Sequence, residues 1–438
     1  MGMERWRDVQ AETRLTDVLT TLQGHETSNH KPVLIYLVPY DVVRLRTGGG
    51  KRIAGIAKAL SADFRVYILS LSPRARPLSM HEVEPDVWML AIPCSEEVEL
   101  TARDLAETCA GAASLFSIAE HAEGCLELNT ILEHLSPVVR GWILASPFAW
   151  PAIQRFFRPE SHALAYDVHD DLLMFLRMGL SCSNPERLAQ AEQLEGEVLA
   201  AASVAAFCTN GDAAAVMLRH SDATLKSVVV PNGVEVKACH WSPPAQVQVL
   251  RKRMGLDRPV AVFAGANYHP NHEAVDEIVR KLAPAFPQVL FVVMGMHFAP
   301  YRSFGGAEPG ENVVFTGPVD EPVKEAIFSL AELALAPMKS GTGSSLKIPD
   351  YIAHGKLVLG TPVGLRGFDA FTPLKSVLSS SDISDLLEQV LSELADDPDQ
   401  FTADCKKARE QVAATLDWSM ASRPIVDAMK QRTAEPGT

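Results

Sequence analysis

The feature that most constrains this chain is a recurring one. Short apolar runs, rich in Val, Ile, Leu and Ala, alternate with segments of helical periodicity from residue 33 to residue 379. In the first half the runs fall at 33–37, 66–69, 87–92, 142–145, 163–168, 204–208 and 227–234. In the second half they fall at 260–264, 289–294, 313–316, 333–336, 357–360 and 377–379. Near-continuous apolar runs of this length fit parallel strands covered on both faces. The segments between them supply the covers. Ile53, Ile56, Ala57 and Leu60 recur at i, i+3, i+4 and i+7 after a glycine triplet. Asn184-Pro185 forms a cap and first position ahead of Leu188, Ala191, Leu194 and Val198. Ala274, Val275, Ile278 and Leu282 line a further helix.

Repeated strand–helix alternation in both halves predicts an α/β protein of two doubly wound, Rossmann-like domains. At 438 residues the chain has room for both, and 47% of its residues are apolar enough to fill two cores. The expected division is an N-terminal domain over 1–236, with 1–30 as an extension, and a C-terminal domain over 237–415. A final helix over 416–438 is expected to pack back on the first domain. Residues 236–258 are polar, contain Pro243-Pro244, and read as the linker. Ligands of such sheets bind beyond the carboxyl ends of the strands, so the expected site is a cleft between the domains.

Charge and cysteine usage exclude several classes. A net charge of −14 argues against a nucleic-acid partner, whose backbone calls for clustered Lys and Arg. Seven scattered cysteines, with no C-x-x-C pair, indicate neither a disulfide framework nor structural zinc. The polar start MGMERWRDVQAETR shows no signal peptide, and no apolar run reaches the length of a spanning helix. The expected location is the cytoplasm. Peripheral contact at the inner membrane face is the second option, resting on "PFAWPAIQRFFRP", where Trp150, Phe156 and Phe157 mix with Arg155 and Arg158. Aromatics at this spacing equally suit a core, and oligomeric state is left open.

Four stretches carry chemistry. "KSGTGSSLKIPDYIAHGK" (339–356) follows one apolar run and precedes a helix whose start Pro349 places near Leu346. Gly341, Thr342, Gly343, Ser344 and Ser345 would let backbone amides approach an anion, with Lys347 adding a positive charge. Asp350, three residues on, is expected on the same helix face, where a carboxylate can read a sugar diol. The same residues also suit a plain turn with a solvated lysine. "TGGGKR" opens the first helix, and Gly49 and Gly50 present amides there; without G-x-G-x-x-G, dinucleotide binding is disfavoured. In "AYDVHDD", His169 and Asp170 lie just past a predicted strand, positioned for hydroxyl contact or proton transfer, or for a structural role. In "FAGANYHPNHEA", Asn267, Tyr268 and His269 would line the opposite wall, while Asn271 reads as a helix cap.

Taken in order, these stretches resemble the retaining GT-B glycosyltransferases of the group 1 family. The segment "PMKSGTGSSLKIPDYIAHGKLVLGTPVGLRGF" parallels the family's second-domain signature, and "GGGKRIAGIAKAL", "YDVHD", "PNGVE", "GANYHPNHEAV", "FTGPVDE" and "LDWSMASRP" follow family order. The resemblance implies the GT-B fold and transfer of a sugar from a nucleotide-diphosphate sugar to a glycan, lipid-linked or protein acceptor, with retention, no metal and no bound cofactor. It implies catalytic roles for His169, Lys347 and Asp350. Gly49, Gly50, Gly341, Thr342, Gly343, Ser344, Ser345 and Lys347 would hold the donor phosphates. Asp350, Thr316, Gly317 and Val319 would meet the nucleoside, and Asp170, Asn267, Tyr268 and His269 the sugar or acceptor.

This chain departs from the pattern at several places, Tyr351 and Ile352 replacing small helix positions among them. Asp350 stands for a glutamate, Ser345 for an arginine, and Thr342 for the first glutamate of the E-x7-E branch. Lys339, Arg366, Arg44, Arg46 and Lys51 are candidates to supply the missing positive charge. Two other readings share the architecture: a non-catalytic subunit that binds a nucleotide sugar or glycan, and a nucleotide-sugar 2-epimerase.

Overall fold

A computed structural model describes residues 13–28, 31–43, 47–109, 111–296 and 298–434, for 26–28 the backbone alone. Arg44 and Arg46 lie outside the described residues. The chain divides into two units, Met1–Pro231 with Ala421–Thr438, and Asn232–Met420.

The first unit is built on eight strands: β1 (Val33–Val38), β2 (Arg65–Ser72), β3 (Ser79–Glu84), β4 (Val87–Pro93), β5 (Val139–Leu144), β6 (Ala163–Val168), β7 (Val204–Phe207) and β8 (Lys226–Val229). Their order is β3-β4-β2-β1-β5-β6-β7-β8. Every pairing is parallel except β3 with β4. Alternation along β1 shows why its run is apolar throughout. Ile35 and Leu37 enter one core, and Leu34, Tyr36 and Val38 enter the core on the other face. Helix α1 (Leu15–Ser28) sends Val18 and Leu22 into the first core. Helix α2 (Gly48–Leu60) covers the second with Ile53, Ile56, Ala57 and Leu60, beside Ile425 and Met429 of the C-terminal helix Arg423–Ala434. Helix α3 (Pro185–Ala201) starts as its sequence predicts, the Asn184 side chain accepting from the amides of Glu186 (3.0 Å) and Arg187 (3.2 Å).

The apolar pattern gave no sign of β3. Its sequence, SMHEVE, is an edge strand with four of its six residues polar, so no continuous apolar run marks it. It turns into β4 through Asp86, at φ 61°, whose carboxylate pairs with Lys31 (2.8 Å) and Arg65 (3.2 Å). In the aromatic segment 147–159, Phe148, Trp150 and Phe157 are core, while Arg155 and Arg158 stay exposed. Trp150 and Phe157 meet edge-on at 5.7 Å inside the first cluster, and Arg155 stacks over Phe156 at 4.7 Å. That packing takes Trp150 and Phe157 away from any membrane surface. Among the described residues no helix is long and apolar enough to cross a membrane.

The second unit carries six parallel strands: β9 (Val260–Ala264), β10 (Leu290–Met294), β11 (Val313–Gly317), β12 (Leu333–Ala336), β13 (Leu357–Gly360) and β14 (Val377–Ser379). They are ordered β11-β10-β9-β12-β13-β14. The stretch 236–258, expected as a polar linker, contains helix α4 (Pro244–Arg253). Proline at the first helical position favours that start, Val247 is buried, and the Arg251 guanidinium pairs with buried Glu332. Three further helices matter for the site: α5 (His269–Glu277), α6 (Glu321–Leu330) and α7 (Lys347–Ala353). Pro349 sits in the first turn of α7, as its missing amide hydrogen requires.

Candidate functional site

Each sheet reverses its strand order at one place, and ligands of open α/β sheets bind in the crevice beyond the strand ends there. In the second unit the reversal lies between β9 and β12. The loops leaving these strands are 265–268 and 337–346. Glycines shape the first side. The Gly265 amide donates to Met294 O and the Gly295 amide to Gly317 O, both at 2.9 Å, tying the ends of β9, β10 and β11 together where the β10–β11 register slips by one residue. Gly295 (φ +89°) and Gly317 (φ +67°) adopt left-handed conformations. At Gly265 a Cβ would stand 2.7 Å from the Phe263 ring and 2.9 Å from Asn271 Cγ, so only glycine lets Asn271 reach the loop.

Asn271 is buried and is not the helix cap expected of it; Tyr268 holds the cap position of α5. Its amide group donates to Ala266 O (3.0 Å), and its Oδ1 accepts from Lys347 Nζ at 2.9 Å. The Lys347 ammonium also stands 4.2 Å above the Phe263 ring and 3.7 Å from Met338 Sδ. One hydrogen bond thus joins the first turns of α5 and α7 across the reversal. Burial, with the positive charge of Arg366 nearby, pulls Lys347 down from 10.5 to about 7.

Arg366 holds the glycine-rich loop from below. Its Nε donates to Gly343 O (2.8 Å), Nη2 to Thr342 O and Nη1 to Val363 O (2.8 Å). A Cβ on Gly341 (φ +131°) would lie 2.9 Å from Arg366 Nη2. The next residue's carbonyl, Ser344 O, accepts from Asn232 Nδ2 (3.0 Å), while Ser344 Oγ is buried and finds no partner among the described residues. Of the candidate extra cations within this unit, Arg366 is the one that grips this loop. Lys339 pairs with Glu277 at 2.8 Å, and Ser340 bonds Glu273, both on α5.

Asp350 does not share the Lys347 environment expected of it. Its carboxylate turns toward α6, 3.5 Å from the Lys324 ammonium, and lies 3.4 Å from His354 Nδ1 and 3.9 Å from Cys239 Sγ. Ligand atoms of Cys239, Asp350 and His354 fall within 4.8 Å of one another. His354, however, is engaged on both sides, Nδ1 lying 2.7 Å from the Asp350 carbonyl and Nε2 2.8 Å from Glu325 Oε1. Lys324 already supplies the positive charge there. Burial and the Asp350 charge hold the Cys239 thiol far above its usual range. The trio fits a hydrogen-bonded salt bridge better than a cation site.

The remaining predicted residues of this unit are dispersed along the strand ends. Thr316 Oγ1 donates to Gly317 O (2.8 Å), and Val319 packs against the core. Asn267 Oδ1 meets His272 Nε2 at 2.6 Å, and exposed His269 lies 3.9 Å from Glu273. Tyr351, where the signature has a small residue, is fully buried; its phenol oxygen accepts the Ala264 amide at 2.7 Å and ties α7 to the end of β9.

In the first unit the reversal lies between β1 and β5. Gly48, Gly49 and Gly50 form the first turn of α2, capped by Thr47 Oγ1 accepting from the Gly50 amide at 3.2 Å. A Cβ on Gly49 would meet Tyr40 OH at 3.2 Å and His169 Nδ1 at 3.4 Å, so the glycine loop and the histidine are brought together. Beneath them sits a residue that sequence reasoning missed. Asp167, fully buried at the end of β6, accepts from Arg52 Nη2 (2.6 Å) and Nε (3.0 Å), from Tyr36 OH, and from His169 Nε2 (2.8 Å). The Arg52 and His169 side chains hold its carboxyl below the ordinary carboxylate range despite burial. A lone carboxylate inside the apolar run ALAYDV was the available signal. Asp170 adjoins this group, and Asp171 is committed to capping (Met174 amide, 3.2 Å) and to Arg219 (3.2 Å).

Comparison with known proteins agrees with this geometry. Residues 258–396 match the family model described as glycosyl transferases group 1, so the second unit carries a glycosyltransferase group 1 domain. Alpha-galactosylglucosyldiacylglycerol synthase of Streptococcus pneumoniae (strain ATCC BAA-255 / R6) is 28% identical over 124 residues, 26% of this chain and 32% of that protein. The chain thus matches about a third of the length of this relative. Among solved structures, a sucrose-phosphate synthase from Thermosynechococcus elongatus superposes with a TM-score of 0.68 at 16% identity, over 92% of this chain and 99% of the other. An E. coli trehalose-6-phosphate structure bound with UDP-2-fluoro glucose follows at 0.64 and 11%, covering 91% and 99%. Anabaena Alr3699/HepE in complex with UDP and glucose gives 0.59 at 12%, covering 92% and 100%. The fold is GT-B: a mixed α/β chain with two parallel-sheet domains.

Proposed function

We propose that this protein transfers a sugar from a nucleotide-diphosphate sugar to a glycan, lipid-linked or protein acceptor, retaining the anomeric configuration and using protein cations in place of a metal. The observation that carries this reading is the Lys347 ammonium. It is placed at the strand reversal of the second unit by Asn271, beside a glycine-rich loop whose carbonyls are held by Arg366. Negative charge grows on the departing diphosphate as the sugar's C1–O bond breaks. Prepositioned positive charge and loop amides stabilise that charge without reorganising during the reaction. Arg366 stands in for the cation lost at Ser345. The orphaned Ser344 hydroxyl is a donor in want of an acceptor, which a phosphate oxygen supplies. In a front-face transfer the acceptor oxygen bonds C1 while its proton passes to the departing phosphate oxygen, so no protein nucleophile is required.

Within this reading Gly341 to Ser345 and Lys347 hold the diphosphate, and Thr316, Gly317 and Val319 meet the base. Asp350, shorter than glutamate, reaches the ribose while Lys324 balances its charge. On the first unit Gly49 and Gly50 serve the donor phosphate or sugar and His169 and Asp170 the sugar, while Asn267, Tyr268 and His269 serve the sugar or acceptor. UDP-containing ligands in two solved neighbours put UDP-sugars first in a donor panel. The name of the curated relative adds glycosyl diacylglycerols to the acceptor panel.

The test is a thermal-shift and calorimetric screen of UDP, GDP, dTDP, CMP and their sugars, followed by product analysis with and without acceptors. Lys347→Ala is expected to reduce transfer by at least a hundredfold in a folded protein. Transfer surviving within a few-fold would remove Lys347 from the phosphate site. Tight nucleotide-sugar binding without turnover against any acceptor would favour a binding subunit.

A further inference from the structure

We propose that Asp167 is a positioning residue that fixes His169 as its Nε2–H tautomer, so that Nδ1 faces the glycine loop as a hydrogen-bond acceptor for a sugar hydroxyl. This inference rests on the function proposed above for its ligand, but its structural half stands independently.

The argument begins with what an ionised carboxylate can do. It only accepts hydrogen bonds. Asp167 is completely buried and bound by the Arg52 guanidinium through Nη2 and Nε, so it is ionised. His169 Nε2, 2.8 Å from Asp167 Oδ2, must therefore carry its hydrogen toward the carboxylate. Arg52 is the buried ion-pair partner of Asp167, and a neutral imidazole carries only one ring hydrogen. Nδ1 is left with its lone pair. It points to Tyr40 OH at 3.4 Å, longer than a good O–H···N bond, and to the space beside Gly49.

The same carboxylate also holds the surface that Nδ1 faces. Arg52 lies in α2 two residues after Gly50, and its Nη1 donates to Val230 O at 2.7 Å. Tyr36, on β1, donates to Asp167 Oδ2 as well. Asp167 thus ties β1, α2 and β6 to one point, and the ring, Tyr40 and Gly49 converge above it. Any side chain at position 49 would occupy the space next to Nδ1. A purely structural ion pair would explain Arg52 and Asp167; it would not explain a half-buried imidazole presenting a lone pair across from a residue without a Cβ.

The experiment is 15N NMR of the full-length protein labelled at histidine, with His169→Gln used to assign the ring among the 13 histidines. The expected spectrum at neutral pH shows a pyrrole-type Nε2 and a pyridine-type Nδ1, and addition of the best nucleotide sugar from the donor screen moves Nδ1 more than Nε2. An Nδ1–H tautomer or an imidazolium in the free protein would overturn the proposal, whatever the protein's activity. Gly49→Ala is a second variant that preserves the ion pair. It should keep the tautomer yet abolish the ligand-induced shift of Nδ1, and lower kcat/KM by about tenfold, the worth of one hydrogen bond. An unchanged ligand response in Gly49→Ala would also overturn it. Asp167→Asn, if folded, should reverse the tautomer and lower kcat more than it raises KM, with Asp167→Glu recovering part of the loss; an unchanged ring spectrum refutes the link. Failure of every nucleotide sugar to bind would instead strike the proposed function and leave the tautomer measurement standing.

Discussion

Proton uptake on donor binding is the sharpest consequence of the buried lysine. Burial and Arg366 bring Lys347 to about 7 in the free protein, from an ordinary 10.5. A diphosphate placed against the ammonium reverses both causes, because it adds negative charge and hydrogen-bond acceptors. The difference between about 7 and 10.5 corresponds to roughly 5 kcal/mol between the protonated and neutral forms. A ligand that restores even half of it makes binding strongly pH-dependent. Below pH 7 the free protein already holds the proton, and affinity is flat. Above pH 7 the proton must be taken up on binding, so the association constant falls by about tenfold per pH unit until the bound-state value is reached. At pH 8 about nine molecules in ten of the free protein lack the proton, so uptake should approach about 0.9 proton per ligand.

The assay is isothermal titration with a nucleotide sugar, whose phosphates do not titrate near neutrality, in buffers of different ionisation enthalpy between pH 6.5 and 9. Lys347→Arg serves as the control, since a guanidinium stays protonated throughout and must show no uptake. An association constant that is flat over this range, or an equal slope in the arginine variant, would refute the reasoning. Free-protein stability follows with its own sign. The unfolded chain holds the lysine proton up to about 10.5 and the folded chain only to about 7, so this residue makes folding more favourable as pH rises between those values. Lys347→Met should remove that slope and raise the melting temperature most below pH 7.

Other perturbations address the parts that place Lys347. Asn271→Asp puts a carboxylate where Oδ1 now accepts at 2.9 Å; it should weaken nucleotide-sugar binding by at least tenfold at pH 7 and flatten the pH dependence, as read by the same titration. Arg366→Ala frees the carbonyls of Thr342 and Gly343, so amide exchange over 341–346 should accelerate in mass spectrometry while the strands of the second sheet keep their protection. Tyr351→Phe leaves the Ala264 amide without its partner and should cost about 1–3 kcal/mol in denaturant unfolding, with no comparable loss of transfer per folded molecule. Gly265→Ala forces a Cβ against Phe263 and Asn271, and should destabilise the second unit by about 1–3 kcal/mol in the same experiment.

The strands were legible because burial on both faces leaves little freedom in composition. The runs at 163–168, 260–264, 333–336, 357–360 and 377–379 coincide with β6, β9, β12, β13 and β14 residue for residue. β3 escaped for the converse reason: an edge strand keeps its polar residues. The site was legible only where its chemistry is local in sequence. Glycines at 341 and 343, Lys347 and the proline-limited helix start form one contiguous stretch, and the structure keeps them together. What could not be read were partnerships between distant positions. Asn271 reaches Lys347 across 76 residues, and Asp167 gathers Arg52 across 115 and Tyr36 across 131. Asn271 met every local rule for a helix cap, yet the fold assigns that position to Tyr268 and turns the amide group inward. The error on Asp350 has the same origin. Three residues along a helix is close enough to share a face, but the face of α7 is divided between neighbours, α5 taking Lys347 and α6 taking Asp350. A helix of seven residues cannot set the direction of its own long side chains. The elements packed on either side set it, and those elements are known only once the sheet order is known.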